Sequence, residues 1–347
     1  MKAVVCNRPG ELVSVSSSAP VPEKGYSILK IRRVGICGTD IHAFEGTQPY
    51  FTYPRILGHE LAGEWVDGDK PDGWEAGTKY TVLPYWNCGN CIACRRRKPN
   101  CCVRMQVCGV HIDGGMREFL SVPTRMLIPG TGLSLDELAL VEPLAIGAHS
   151  VRRADIESGE FVLVIGAGPI GLGIMQLCRL AGAQVIAMDV NDKRLAFCRE
   201  KLGIEHTLNP SAADASETLK TITRGDMPTA VFDATGNLHA INGGLAYLAH
   251  GGRYILVGLQ NAEFSFSHPE FHKRETTLMS SRNALKADFD YVISSIREKS
   301  LDVNVLITHR LAFGDLERQF NRIVTSDELV VKGMIEVGEP MTKFMVL

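Results

Sequence analysis

Residues 161–171 read Phe-Val-Leu-Val-Ile-Gly-Ala-Gly-Pro-Ile-Gly, a continuous apolar run that ends in a GxGxxG turn and passes directly into an apolar stretch from Leu172 to Leu180. A run without polar alternation is what a parallel strand buried on both faces requires. The strand–glycine turn–helix order constrains this part of the chain to a doubly wound α/β unit. Gly166 permits the tight turn, Gly168 lets the backbone approach a pyrophosphate, and Gly171 allows the helix to pack close to the sheet. Pro169 and Ile170 open the helix, whose unpaired N–H groups and positive dipole end face bound phosphates. The following strand, 184–188, ends at Asp189, 18 positions after Gly171. A carboxylate there accepts hydrogen bonds from ribose hydroxyls and repels a 2′-phosphate, which favours NAD over NADP. Arg194 is placed to flank the adenine, and Lys193 falls on a solvated face. The competing reading is a structural βαβ unit without a ligand.

Further strands are expected at Ala230–Phe232, Arg253–Val257 and Thr277–Met279, with helical or polar stretches between them and a surface helix and loop in 209–228. The first ~150 residues differ: Gly and Pro are frequent and the apolar runs are short, the texture of a β-rich, loop-rich unit. A helix starts behind Ser134, with Glu137 as its capping-box partner, and continues through AIGAHSVRRADI. The tail, from about Ala284, carries a helix (Asp288–Ile296) and a last strand beginning at Val331.

The 347 residues balance 37 basic against 39 acidic side chains, a net charge of −2 that gives no global field for nucleic acid or membrane. No stretch approaches the ~20 apolar residues of a membrane span. The N-terminal sequence lacks a signal-peptide h-region, and the expected location is cytoplasmic. In a reducing compartment, clustered cysteines point to metal or catalysis before disulfides. Of the 10 cysteines, Cys6, Cys108, Cys178 and Cys198 read as small buried hydrophobes.

Cys88-x2-Cys91-x2-Cys94-x7-Cys102 places four thiols within 15 residues, the pattern of a closed structural zinc site. Cys101 is the alternative fourth ligand. An iron–sulfur cluster would need a fourth cysteine where Arg95–Lys98 stand. A zinc finger for nucleic acid would need a basic surface that the composition does not supply. A second, dispersed set comprises Cys37, Thr39 and His42, the His59-Glu60 pair, and Glu142. One thiolate, one imidazole and one or two carboxylates make a plausible open zinc site.

These residues resemble the zinc-dependent medium-chain alcohol/polyol dehydrogenase family along essentially the whole chain. The motifs that carry the resemblance are GICGTDIH (35–42), GHELAGE (58–64), the four-cysteine segment (88–102), DGGMREFLSVP (113–123), EPL (142–144) and GAGPIGLG (166–173). The resemblance implies a GroES-like, β-rich catalytic domain of residues 1–148 and 284–347 with both zinc sites, around a NAD-binding Rossmann domain of residues 149–283. It implies catalytic-zinc ligands Cys37, His59 and Glu142, with Glu60 as the alternative ligand. Thr39 would hydrogen-bond the reacting hydroxyl, His42 would relay its proton to solvent, and Lys332 would sit near the cofactor pyrophosphate. Thr235, Gly236, Val257 and Gly258 would line the nicotinamide side. A homodimer or homotetramer is expected.

Within the family, GTQPYFTYPRILGHE, GVHIDGG, DATGN and HPEFHKRETTLMSSRNA resemble the bacterial hexonate 5-dehydrogenases that act on L-galactonate or L-gulonate. That resemblance implies oxidation of a secondary alcohol of a polyhydroxylated sugar acid. Arg282 would clamp the carboxylate bidentately, and His111 is a second substrate candidate. Neutral or phosphorylated polyols and L-threonine remain as alternative substrates. A catalytically silent NAD-binding regulator with structural zinc alone is the alternative outside enzymes.

Overall fold

The computed structural model describes residues 1–49, 51–326 and 328–338. They divide into two compact units, one of Met1–Glu142 together with the residues from Leu285 onward, the other Pro143–Ala284. The first unit opens with β1 (Lys2–Arg8) and β2 (Glu11–Ser16), an antiparallel pair. It continues through β3 (Tyr26–Gly35), α1 (Gly38–Glu45), β4 (Arg55–Ile56), β5 (Glu60–Gly68), β6 (Lys79–Val82), β7 (Tyr85–Trp86), α2 (Ile92–Arg95), β8 (Gln106–Val107), β9 (Phe119–Pro123) and β10 (Leu127–Pro129). Strand β3 is the organiser: it pairs antiparallel with β5 and β9, and its last pair joins Gly35 to Glu60. The chain therefore leaves β3 where it enters β5, so that the two segments carrying Cys37 and His59 meet at one end of these neighbouring strands. Leu29, Ile31 and Val34 of β3 pack with Leu61, Tyr80, Leu120 and Phe320 in one buried core.

Helix α3 (Leu135–Ala154) starts with the expected capping box: the Ser134 backbone N–H donates to Glu137 Oε2 at 2.7 Å, and the Glu137 N–H to Ser134 Oγ at 3.2 Å. The unit boundary falls within this helix, after Glu142, not at residue 148 as expected. The helix is continuous, and its two ends pack differently. Leu138 lies against Gly130, whereas Leu144 and Gly147 lie against Gly173 and Leu177.

The second unit contains β11 (Phe161–Ile165), α4 (Pro169–Leu180), β12 (Gln184–Met188), α5 (Asp192–Leu202), β13 (His206–Leu208), α6 (Ala215–Ile222), β14 (Ala230–Asp233), α7 (Leu238–Gly244), β15 (Arg253–Leu256), α8 (His268–Lys273) and β16 (Thr277–Ser280). All six strands are parallel, in the order β13-β12-β11-β14-β15-β16. Val162, Leu163 and Val164 are fully buried, as their unbroken apolar run requires. The strand order reverses between β11 and β14, the place where a doubly wound sheet leaves a crevice for ligands.

The chain then returns to the first unit through α9 (Lys286–Arg297), β17 (Ile307–Ala312), α10 (Leu316–Val324) and β18 (Lys332–Glu336). Strand β18 adds to β3 with Met334 opposite Gly35, and β17 pairs with β18 in parallel, giving the order β10-β6-β5-β3-β18-β17. The tail is fastened by charge as well as by the ladder. Arg33 Nε donates to Asp136 Oδ1 at 2.8 Å, Arg310 bonds Asp136 Oδ2, and Arg310 Nη1 donates to Glu336 Oε1 at 2.9 Å. Burial would raise the Asp136 carboxyl, but Arg310 and Arg33 outweigh it and hold the group below the ordinary carboxylate range.

Asp136→Asn is therefore expected to lower stability at pH 7 by about 1–2 kcal/mol, since the group is largely but not wholly shielded. A depressed folded-state pKa contributes fully above the unfolded value, about 3.9, and is lost as pH falls through the folded one. Denaturant unfolding of variant and wild type should accordingly differ at neutral pH and converge in acid.

Candidate metal centres and nucleotide turn

Cys37 precedes α1 as its N-cap, and His59 immediately precedes β5, whose first residue is Glu60. The ligand atoms of Cys37, His59 and Glu60 lie within 4.8 Å of one another. Glu60 is fully buried, with its carboxylate lying over Gly35: a Cβ on residue 35 would sit 2.0 Å from Glu60 Oε2. Glycine at 35 is thus a condition of the site. From the other side of β3, Lys332 donates to both Glu60 oxygens, at 2.6 and 2.7 Å, and to the Ile36 carbonyl at 3.0 Å. Lys332, the residue expected beside the pyrophosphate, is 2% exposed and holds Glu60. The register of β18 on β3 turns it inward.

Asp40 was not assigned from the sequence, although it lies in GTDIH. Its carboxylate accepts the Cys37 N–H at 2.8 Å and the Gly58 N–H at 3.0 Å, and lies 3.9 Å from His59 Nδ1. The signal was its spacing three residues after Cys37, which completes a capping box on α1. Glu142, from α3, is also buried. Its Oε1 accepts the Tyr85 hydroxyl, and its Oε2 has no partner. Burial, reinforced by Glu60 and opposed by His59, pushes the Glu142 carboxyl up to about 7. Burial alone would lower His59, but Cys37, Asp40 and Glu142 raise it well above the ordinary imidazole value. Excess negative potential around a buried imidazole is the mark of a site that attracts a cation. Thiol, imidazole and carboxylate donors, with unpartnered His59 Nδ1 and Glu142 Oε2, fit zinc.

Thr39 is half-buried on α1, and His42, three residues on, is exposed; its Nδ1 lies 2.9 Å from Thr47 Oγ1 and 3.5 Å from Glu45 Oε2. His111 is in a tight turn of the same unit, where Nδ1 accepts the Val107 N–H at 3.1 Å. Arg282 is exposed just beyond β16, in the other unit.

The four-cysteine segment forms the second centre. Sγ–Sγ separations are 3.5 Å for Cys91–Cys94, 3.8 Å for Cys91–Cys102 and 3.4 Å for Cys88–Cys102. Disulfides would bring sulfurs to ~2.05 Å, whereas four zinc–sulfur bonds of ~2.3 Å in a tetrahedron set them about 3.8 Å apart. Cys102 completes the quartet and Cys101 is exposed outside it. The Asn90 backbone N–H, with Arg104 and Cys102 contributing, draws Cys88 down to about 5, the thiolate form a metal needs.

In the nucleotide unit, Gly166 takes φ +99° and donates its N–H to the Met188 carbonyl at 2.8 Å. A Cβ on Gly171 would meet Gly166 O at 1.8 Å, so only glycine lets α4 approach the turn. Gly168 caps α4, with Pro169 at its first position and Ile170 next. Asp189 accepts the Ala167 N–H at 2.7 Å and the Asn191 N–H at 2.8 Å, with Arg194 Nη1 at 3.7 Å. The Thr235-Gly236 and Val257-Gly258 turns meet at the ends of β14 and β15. Asp233, another residue missed from the sequence, joins them. Its carboxylate takes the Thr235 O–H at 2.7 Å and the Gly236 N–H at 3.2 Å, and its carbonyl accepts the N–H groups of Val257 and Gly258 at 2.9 and 3.0 Å. Among the described residues, no helix is long and apolar enough to cross a membrane.

Residues 169–298 match the zinc-binding dehydrogenase family and residues 23–132 the alcohol dehydrogenase GroES-like domain. The chain is 43% identical over 336 residues to an L-galactonate-5-dehydrogenase of Escherichia coli K12, covering 96% of this chain and 98% of that protein. It is 30% identical to a 2-dehydro-3-deoxy-L-galactonate 5-dehydrogenase of Pseudoalteromonas atlantica, covering 88% of this chain and 90% of that one. Among solved structures, an alcohol dehydrogenase (rspB) of Escherichia coli CFT073 complexed with NADH superimposes with a TM-score of 0.89 at 27% identity, covering 97% of this chain and 99% of that one.

Elemental analysis is expected to find two zinc ions per chain. Cys91→Ser should lower the count to one and reduce thermal stability, because structural zinc contributes directly to folding.

Proposed function

We propose that this chain, which belongs to the zinc-dependent alcohol dehydrogenase family, oxidises the C5 hydroxyl of a six-carbon sugar acid of the L-galactonate or L-gulonate type to a ketone, with NAD as hydride acceptor. The observation that carries the substrate reading is the 43% identity, over nearly the full length of both chains, to an enzyme named for C5 of L-galactonate. The second relative is named for the same carbon of a related acid.

The roles proposed for the chain's own groups are supported by the motifs that carry them and by their surroundings in the fold. Cys37, His59 and Glu60 hold zinc, with Glu142 beside them; when bound, zinc supplies the Lewis acidity that lowers the pKa of an oxygen ligand, for water to about 7. Lys332 anchors Glu60, and Asp40 holds the Cys37 and Gly58 backbone that frames the site. Thr39 hydrogen-bonds the substrate hydroxyl and takes its proton towards His42, whose exposure gives it contact with solvent. In the nucleotide unit, the Gly166–Gly171 turn and the start of α4 bind the pyrophosphate, Asp189 and Arg194 the adenosine end, and the Thr235-Gly236 and Val257-Gly258 turns the nicotinamide end. The reaction balances as alcohol and NAD⁺ giving ketone, NADH and one proton. Arg282, with its planar fork of donors, binds the carboxylate of the acid, and His111 contacts its hydroxyls.

The test is NADH formation by zinc-loaded protein across L-galactonate, L-gulonate, D-aldonates, sorbitol, galactitol 1-phosphate and L-threonine. A hexonate should give the highest kcat/KM; a neutral or phosphorylated polyol in first place would refute the substrate reading. Arg282→Ala should raise KM for the hexonate at least tenfold, the ~1.5–3 kcal/mol of a charge-assisted pair, and leave NADH binding unchanged. Cys37→Ser should abolish turnover, again with NADH binding intact by fluorescence titration.

A further inference from the structure

Two carboxylates approach the proposed zinc centre, and each is restrained by one protein side chain of a different kind. Lys332 grips both oxygens of Glu60. Tyr85 grips a single oxygen of Glu142: its hydroxyl donates to Oε1, while Oε2 stays buried without a partner. Glu142 lies outside the set of atoms within 4.8 Å formed by Cys37, His59 and Glu60, yet its charge is felt by His59 and Lys332. A single hydroxyl, placed on the side away from the unpaired oxygen, is therefore what fixes the orientation of this carboxylate.

We propose that Tyr85 is the positioning residue of the metal centre, holding Glu142 so that only one of its carboxylate oxygens serves the metal site. The inference rests on the zinc reading of Cys37, His59 and Glu60. Tyr85 is suited to the task by its place in the chain. It belongs to β7, which pairs with β8 through Tyr85–Val107 and Trp86–Gln106, and this short ladder closes the loop that carries all four cysteines of the second centre. Cys88 follows Tyr85 by three residues. The cross-linked lobe thus fixes the strand, the strand fixes the phenol, and the phenol fixes the carboxylate. Buried polar side chains of this kind orient metal ligands and tune their affinity.

The experiment uses full-length protein with zinc retained at the four-cysteine site and Co²⁺ placed at the other. It compares wild type with Tyr85→Phe, Glu142→Asp and Glu142→Gln. Glu142→Asp keeps the charge but shortens the side chain, so it withdraws the carboxylate from Tyr85 and from the metal site together and serves as the reference for a displaced carboxylate. The analogue 3-fluorotyrosine at position 85, which keeps ring and hydroxyl but changes the acidity of the donor, should shift the Co²⁺ absorption, and it decides the matter if Tyr85→Phe does not fold. The readouts are the visible absorption of the bound Co²⁺, metal retention against a chelator, and NADH affinity. Tyr85→Phe and Glu142→Asp should change the absorption in the same direction and weaken metal retention about 10–100-fold, with NADH affinity unchanged. A double variant, Tyr85→Phe with Glu142→Gln, should lose no more than Glu142→Gln alone. If Tyr85→Phe, or 3-fluorotyrosine at that position, matches wild type in absorption and retention while Glu142→Gln does not, the positioning role is overturned, whatever Glu142→Asp does. If Glu142→Gln also matches wild type, Glu142 does not serve the metal at all, and the place given to it in the proposed site falls as well.

Discussion

The contact between Lys332 and Glu60 ties together three segments distant in sequence. It bridges β18 and β5 across β3, and it can do so only because residue 35, between them, has no side chain. Both partners are buried, so each charge would be costly alone; removing one partner of such a pair typically costs about 3–5 kcal/mol. The pair thus holds the returning C-terminal strand against the N-terminal sheet and fixes one carboxylate of the metal site. A buried ion pair and a candidate ligand set share one group, and the local sheet register serves both.

The remainder of the metal centre is supported from loops and helix ends. Asp40 caps α1 and binds the backbone before His59, so that the two ligand-bearing segments are held by one carboxylate. Tyr85 links Glu142 to the strand pair beneath the cysteine lobe. The two candidate metal centres are thus joined within this unit by one side-chain hydrogen bond and one short ladder. The four cysteines lie in a loop whose stem, the β7–β8 pair, carries Tyr85, the donor to Glu142.

The nucleotide unit is organised by close backbone approach. Gly171 faces the Gly166 carbonyl, and a Cβ on Gly258 would stand 2.2 Å from Gly236 N. These contacts bring the chain at the ends of three adjacent strands to the point where the sheet order reverses. The buried Asp233 supplies acceptors to the donors that this crowding leaves in the β14 and β15 turns. Its ionised form is disfavoured chiefly by burial and supported by those same hydrogen bonds.

The nucleotide unit was legible in the sequence because its determinants are local: an unbroken apolar strand, glycines at fixed spacing and an acidic residue after the next strand. The cysteine quartet was legible for the same reason, four thiols within one loop. Short or mixed strands were not, and β13 and β17 (His206–Leu208 and Ile307–Ala312) lack the run or alternation that marks a strand. The sequence also supplied Cys37, His59, Glu60 and Glu142 as a set, but could not say what held them. Asp40, Tyr85 and Lys332 take their roles from strand register and burial, which bring together residues separated by up to 296 positions. Only the tertiary structure decides such contacts, because a side chain's partner across a sheet depends on which strands become neighbours, and no local pattern records that choice.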